Sequence, residues 1–176
     1  MRVVVAYDGG EAGERAIAAI ASWVQTTDAD VHMLTVLDPS EVHETSMPPG
    51  VHGFTPAATW TGEPLHVSEP IPVLAENRSQ RFESARNEAE ERLQGIGQRS
   101  FGSVSVAVHA EVAEDAAEAI VAEARRLGAD VIAMGTHGRT GLRHALMGSV
   151  AEAVVRNSPI PVLIVGPGVT MPTPPA

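Results

Sequence analysis

Between positions 135 and 149 the chain reads Gly-Thr-His-Gly-Arg-Thr-Gly-Leu-Arg-His-Ala-Leu-Met-Gly-Ser. Glycines at 135, 138, 141 and 148 let a ligand come close to the main chain and tolerate backbone angles closed to other residues. A segment of this kind that opens a helix offers main-chain N–H groups, and the positive end of the helix dipole, to an anion. Free amides are expected at Gly148, Ser149 and Val150. Arg139, Arg143 and His137 add side-chain donors suited to a polyphosphate. The same residues admit another reading. Ser149-Val150-Ala151-Glu152 spells a capping box, with Ser149 as N-cap and Glu152 reaching back to it. Spacing alone does not choose between anion and cap.

Asp8 ends the first apolar run, Arg2 to Tyr7. A carboxylate there suits a ribose hydroxyl or an adenine amino group, both hydrogen-bond donors. It equally suits the role of cap for the next helix, with Glu11 three residues on, and the residues alone favour the cap. Of the seven histidines, His43, His52 and His66 lie between 38 and 72 at spacings that fit no compact metal motif. His109 falls within a strand and reads as a satisfied or edge histidine. No Ser-His-Asp order, G-x-S-x-G elbow or paired-carboxylate pattern is present, so no catalytic residue is assigned.

Composition removes further chemistry. Cysteine is absent, which excludes disulfides, thiol nucleophiles and thiolate zinc sites. All 12 basic residues are arginine, so Schiff-base and P-loop lysine chemistry are excluded. A net charge of −10 argues against non-specific binding to nucleic acid or membrane surfaces. The opening MRVVVAYDGG has no signal-peptide pattern, and no apolar run approaches the roughly 18 residues of a membrane span. A cytoplasmic protein is expected.

The elements that must carry these residues follow from periodicity. Glu11 to Val24 has helical spacing, with Ile17, Ile20, Ala21 and Val24 on one face. Asp30 to Leu37 is a strand. From 38 to 72 the pattern vanishes amid seven prolines, which predicts an irregular surface insert. Val73 to Gln98 is a helix with Leu74, Phe82, Ala85, Ala89, Leu93 and Ile96 inward. Val104 to Val112 is a strand. Asp115 to Leu127 is a helix with Ala116, Ala119, Ile120 and Ala124 inward. Val131 to Met134 is a strand, Gly148 to Asn157 a short helix and Pro161 to Val165 a strand. At 176 residues one domain is expected over 1–166, with the insert at 38–72 and a proline-rich tail at 167–176. Strands alternating with helices predict an α/β fold with a parallel, doubly wound sheet and helices on both faces. Ligands in such folds sit outside the carboxyl ends of the strands, where strand order reverses.

The pattern Gly135-x2-Gly138-x9-Gly148-Ser149 resembles, without a gap, the G-2x-G-9x-G-(S/T) pattern of ATP-binding universal stress proteins. The opening VVVAYDGGEAGERAI and the ending SPIPVLIV are similar to that family's first and last strands. The resemblance implies a five-stranded sheet of order 3-2-1-4-5, with Asp8 and Gly135 across one crevice. It implies Ala6, Tyr7 and Asp8 at adenine and ribose, and Val36 on the base. Met134, Gly135, His137 and Gly138 then line the ribose and first phosphates, and Gly148, Ser149 and Val150 the later ones. The implied ligand is ATP or another adenine nucleotide such as AMP or cyclic AMP, with magnesium as a candidate companion ion. The resemblance also implies pairing with a second copy through 161–165. The residues offer phosphate donors but no Walker-type metal carboxylate and no general base, so a stress-response regulator that senses the nucleotide with slow or no hydrolysis is expected. A slow ATPase and a dimeric interaction module without nucleotide are the alternatives.

Overall fold

Val3, Val4 and Val5 are completely buried, which requires protein on both faces of their strand. The computed structural model supplies those layers; it describes residues 1–45, 72–136, 147–166 and 169. Along the chain β1 (Arg2–Ala6) leads to α1 (Glu11–Val24) and β2 (Asp30–Leu37). Next come α2 (Pro39–Thr45), α3 (Pro72–Phe101) and β3 (Val106–Val112). α4 (Ala116–Leu127), β4 (Val131–Gly135), α5 (Ser149–Asn157) and β5 (Val162–Val165) complete the order. The strands form one sheet, β3-β2-β1-β4-β5, and every neighbouring pair is parallel. Strand order reverses between β1 and β4, which run side by side with Ala6 beside Met134.

Alternate residues of the strands feed two cores. On one face Val3, Val5, Val31 and Met33 meet Ile17 and Ile20 of α1 and Leu93, Ile96 and Phe101 of α3. On the other face Val4, Leu34, Ile132 and Met134 meet Ile120, Val121 and Ala124 of α4 and Ala151 and Val154 of α5. α1 and α3 thus cover one side, α4 and α5 the other. Trp23 packs at the margin of the first core.

Three expectations about the elements need correction. The insert is not irregular throughout, because its first residues form α2 and its last one begins α3; residues 46–71 lie outside the described residues. α3 runs to Phe101, so β3 starts at Val106 rather than Val104. On α4 the buried alanine of the first turn is Ala117, while Ala119 is half-buried. Asp115 caps that helix by accepting from Glu118 N–H at 2.9 Å. Among the described residues no helix is long and apolar enough to cross a membrane.

Candidate functional site

At the carboxyl end of β1 the chain turns through Asp8, Gly9 and Gly10. Gly9 has φ +82°, a conformation that favours glycine. Asp8 is not the cap of α1. Gly10 is the N-cap residue and makes no side-chain cap bond. Asp8 Oδ1 instead accepts the Gly10 N–H at 3.1 Å, a local turn bond. Its Oδ2 is buried and has no hydrogen-bond partner among the described residues. A buried carboxylate oxygen without a donor is unfavourable.

Gly13, one turn into α1, makes room for this carboxylate. A Cβ there would stand 2.7 Å from Asp8 Oδ1 and 3.0 Å from two ring carbons of Tyr7. The Tyr7 side chain is buried. Burial foremost, then the Glu14 and Asp8 carboxylates, raise its pKa above the ordinary phenol value. Tyr7 is therefore a neutral hydroxyl at neutral pH.

Opposite β1, the end of β4 leads toward α5 by a backbone relay. Thr136 N–H donates to the Val165 carbonyl at 2.9 Å, and the Thr136 carbonyl accepts the Gly148 N–H at 2.6 Å. Gly148 is thus not a free donor, which corrects the expectation of three open amides. Gly148 is also the N-cap of α5 and has no side chain to cap with, while Ser149 is already the first helical residue. The capping-box reading of Ser149 therefore fails. The first i to i−4 bond is Glu152 N–H to the Gly148 carbonyl at 2.9 Å. The amides of Ser149, Val150 and Ala151 precede it, at the positive end of the α5 dipole. Since Ser149 does not cap, Ser149→Ala is expected to change stability by less than about 0.5 kcal/mol, against the roughly 1 kcal/mol of a lost cap. Urea unfolding of the two chains measures the difference.

These pieces enclose a cleft of about 300 Å³, at the small end of ligand-binding cavities. Ala6, Tyr7 and Asp8 reach it from β1 and its turn, and Val36 from β2. Met134 and Gly135 come from β4, and Gly148, Ser149 and Val150 from the entrance to α5. His137, Gly138 and Arg139 lie outside the described residues, as does Arg143. The sequence reading missed Leu34 on β2 and Ala116 and Ile120 on α4, which build the apolar wall. Their signal was the helical period that marked Ala116 and Ile120 as inward; it does not distinguish a cleft wall from a core. Gly13, Thr136 and Ala151 complete the lining. The cleft therefore has an apolar floor, one carboxylate and one helix N-terminus. Among the described residues no group of three or more His, Asp or Glu is arranged to hold a metal. The side chain of His43 and the whole of His52 and His66 lie outside the described residues.

Fold and cleft together define a doubly wound α/β protein with a ligand-sized cavity at its switch point. Residues 57–166 match the model of the Universal stress protein family, and the chain belongs to that family of stress-response proteins. Universal stress protein MJ0531 of Methanocaldococcus jannaschii is 32% identical over 165 residues, covering 93% of this chain and 81% of that protein. The stress response protein NhaX of Bacillus subtilis is 28% identical over 170 residues, covering 93% and 96%. Among solved structures, MJ0577 superposes with a TM-score of 0.68 at 23% identity, covering 96% of this chain and 97% of that chain. A universal stress protein in complex with cAMP superposes with a TM-score of 0.53 at 20% identity, covering 94% and 96%.

Proposed function

We propose that the cleft binds an adenine nucleotide, and that the protein is a stress-response sensor whose conformation or partner surface follows nucleotide occupancy. The observation that carries this reading is Asp8 Oδ2, a buried acceptor without a described donor in a cleft of ligand size. A ribose hydroxyl supplies the missing donor. The base lies between Ala6, Tyr7 and Val36, against the wall of Ala116 and Ile120, with Met134 at the ribose. Gly135, His137, Gly138 and Arg139 follow the ribose and first phosphates. The phosphates approach the open amides of Ser149 and Val150, with Gly148 allowing close approach of the main chain. The cAMP complex of a related fold supports the choice of an adenine ligand.

Hydrolysis is slow or absent in this reading. Phosphoryl transfer needs an oriented nucleophile and a placed metal, and Asp8 is the one carboxylate among the described lining residues. Pro161 and the following strand β5 stand at an edge of the sheet, which supports pairing with the same strand of a second copy as a homodimer; the cytoplasm is the proposed compartment.

Calorimetry of the full chain with ATP, AMP and cyclic AMP at millimolar ligand tests the reading. At least one nucleotide is expected to bind, phosphate release from ATP is expected to stay at the level of heat-denatured protein, and light scattering is expected to read a dimer. No binding heat with any of the three, together with no nucleotide in the mass spectrum of the purified protein, refutes the assignment.

A further inference from the structure

Two imidazoles meet on the α4 side of the sheet. His32 of β2 and His109 of the edge strand β3 are diagonal neighbours, since the residue paired with His109 is Leu34. His32 Nδ1 lies 2.9 Å from His109 Nε2. At the outer end of the pair, His32 Nε2 is 3.3 Å from Asp30 Oδ2, which also accepts from Arg2 Nε at 2.8 Å. At the inner end, His109 Nδ1 is 3.5 Å from Glu123 Oε1. Glu123, a buried carboxylate of α4, also accepts from Arg126 Nε at 2.6 Å. Two further carboxylates stand nearby. Glu90 of α3 accepts the Ala110 N–H at 3.3 Å, and Glu111 of β3 pairs with Arg86.

Only one hydrogen fits between two ring nitrogens 2.9 Å apart. With both rings neutral, either the His32 Nδ1–H donates to His109 Nε2 or the reverse tautomer sends the His109 Nε2–H to His32 Nδ1. One added proton leaves this contact whole, because the two outer nitrogens, facing Asp30 and Glu123, can then both carry hydrogen while one hydrogen stays between the rings. A second, on His109 Nε2, sets two N–H donors against each other. Burial opposes that second proton and lowers the His109 pKa below the ordinary imidazole value; Glu123 counteracts this, while His32 and Arg126 reinforce it.

The pair shares its supports with the cleft. His32, Leu34 and Val36 alternate along one face of β2, and the last two line the cleft. Glu123, Ile120 and Ala116 follow one another down one face of α4, and again the last two line the cleft.

We propose that the His32–His109 contact is an acid-released latch: while a single hydrogen lies between the rings it ties the edge strand β3 to β2 and, through Glu123, to α4, and full protonation opens it and loosens the α4 wall of the cleft. The effect on the cleft rests on the nucleotide reading above; the latch itself does not. The sign follows from His109. Its depressed pKa makes a contribution that is complete above the unfolded imidazole value of about 6.5 and is lost as pH falls through the folded value. Asp30 and Glu123 are both held below the usual carboxylate range, chiefly by hydrogen bonds from Arg2 and Arg126 respectively, and stay ionised through that window.

The test compares the natural full-length chain with His32→Gln, whose amide can donate to or accept from His109 by flipping and so tolerates both protonation states. Amide hydrogen exchange is read at about pH 7.5 and about pH 5 and corrected for intrinsic rates. Protection in β3 and α4 is expected to fall about tenfold on acidification in the natural chain, and less than about twofold in His32→Gln. His109→Gln carries the same logic where His32→Gln folds poorly. Equal pH responses in natural and variant chains overturn the latch. The affinity for ATP at the two pH values is expected to fall about fivefold more in the natural chain than in the variant, the titration of ATP itself cancelling between them. ATP binding with equal pH response in both chains overturns the coupling to the cleft. Where ATP does not bind, the same comparison is made with AMP or cyclic AMP; absence of binding by all three at both pH values overturns the nucleotide reading, while the exchange data still decide the latch.

Discussion

Asp8→Asn is expected to weaken adenine-nucleotide binding about 10- to 100-fold without disturbing the fold. The amide is nearly isosteric and keeps an oxygen to accept the Gly10 N–H, so the turn after β1 survives. It loses the charge that strengthens a hydrogen bond from a ribose hydroxyl, and bonds to charged groups contribute about 1.5–3 kcal/mol. Stability should move the other way. Asp8 Oδ2 is buried without a described donor, so removing its charge relieves an unfavourable burial. The ligand-free variant is expected to melt no lower than the natural chain. Loss of affinity with undiminished Tm marks a residue placed for a ligand. A fall in Tm with unchanged affinity would assign Asp8 to the architecture. Calorimetry and thermal melts on the same samples provide both readings.

Gly13→Ala is expected to destabilise the protein by about 1–2 kcal/mol and to weaken nucleotide binding with it. In an open helical position the substitution would stabilise by about 1 kcal/mol, because glycine is the poorer helix former. Here the added Cβ meets Asp8 Oδ1 at 2.7 Å and the Tyr7 ring at 3.0 Å. Overpacking of this kind destabilises by about 1–3 kcal/mol, and it outweighs the helical gain because the ring is buried and the carboxylate has a fixed partner. The cycle with Asp8→Ala separates the two contacts. Removing the carboxylate should return part of the lost stability, so the double variant falls short of the sum of the single ones. A Gly13→Ala chain that is more stable and binds as before would show that the α1 backbone absorbs the methyl group.

The regular elements were legible where one period dominated. α1 and β2 occupy the spans that their apolar spacing marks. The prolines misled. Pro39 and Pro72 read as helix breakers, yet each opens a helix. Proline suits that position because the first helical N–H needs no partner and the φ angle is already helical. Ser149 misled in the opposite sense. Ser-x-x-Glu has the form of a capping box, but the preceding Gly148 adopts the extended cap conformation, with φ −72° and ψ 156°, and leaves the serine inside the helix. The two sides of the cleft were legible from Asp8 and the glycine-rich segment, because a parallel sheet brings loops after adjacent strands to one end. The α4 wall was not legible, since inward residues of a helix have the same period whether they meet a core or a cavity. His32 and His109 were hidden by their separation of 77 positions, which register across two strands brings together and no local pattern announces.

The peptide units on either side of Thr136 link the end of β5 to the entrance of α5. One hydrogen bond from this residue reaches the last residue of the outermost strand, and another holds the amide at the mouth of α5. Any tilt of that short stretch is felt at both ends at once. On the proposed reading, a nucleotide in the cleft and a second copy along β5 would both bear on this one residue.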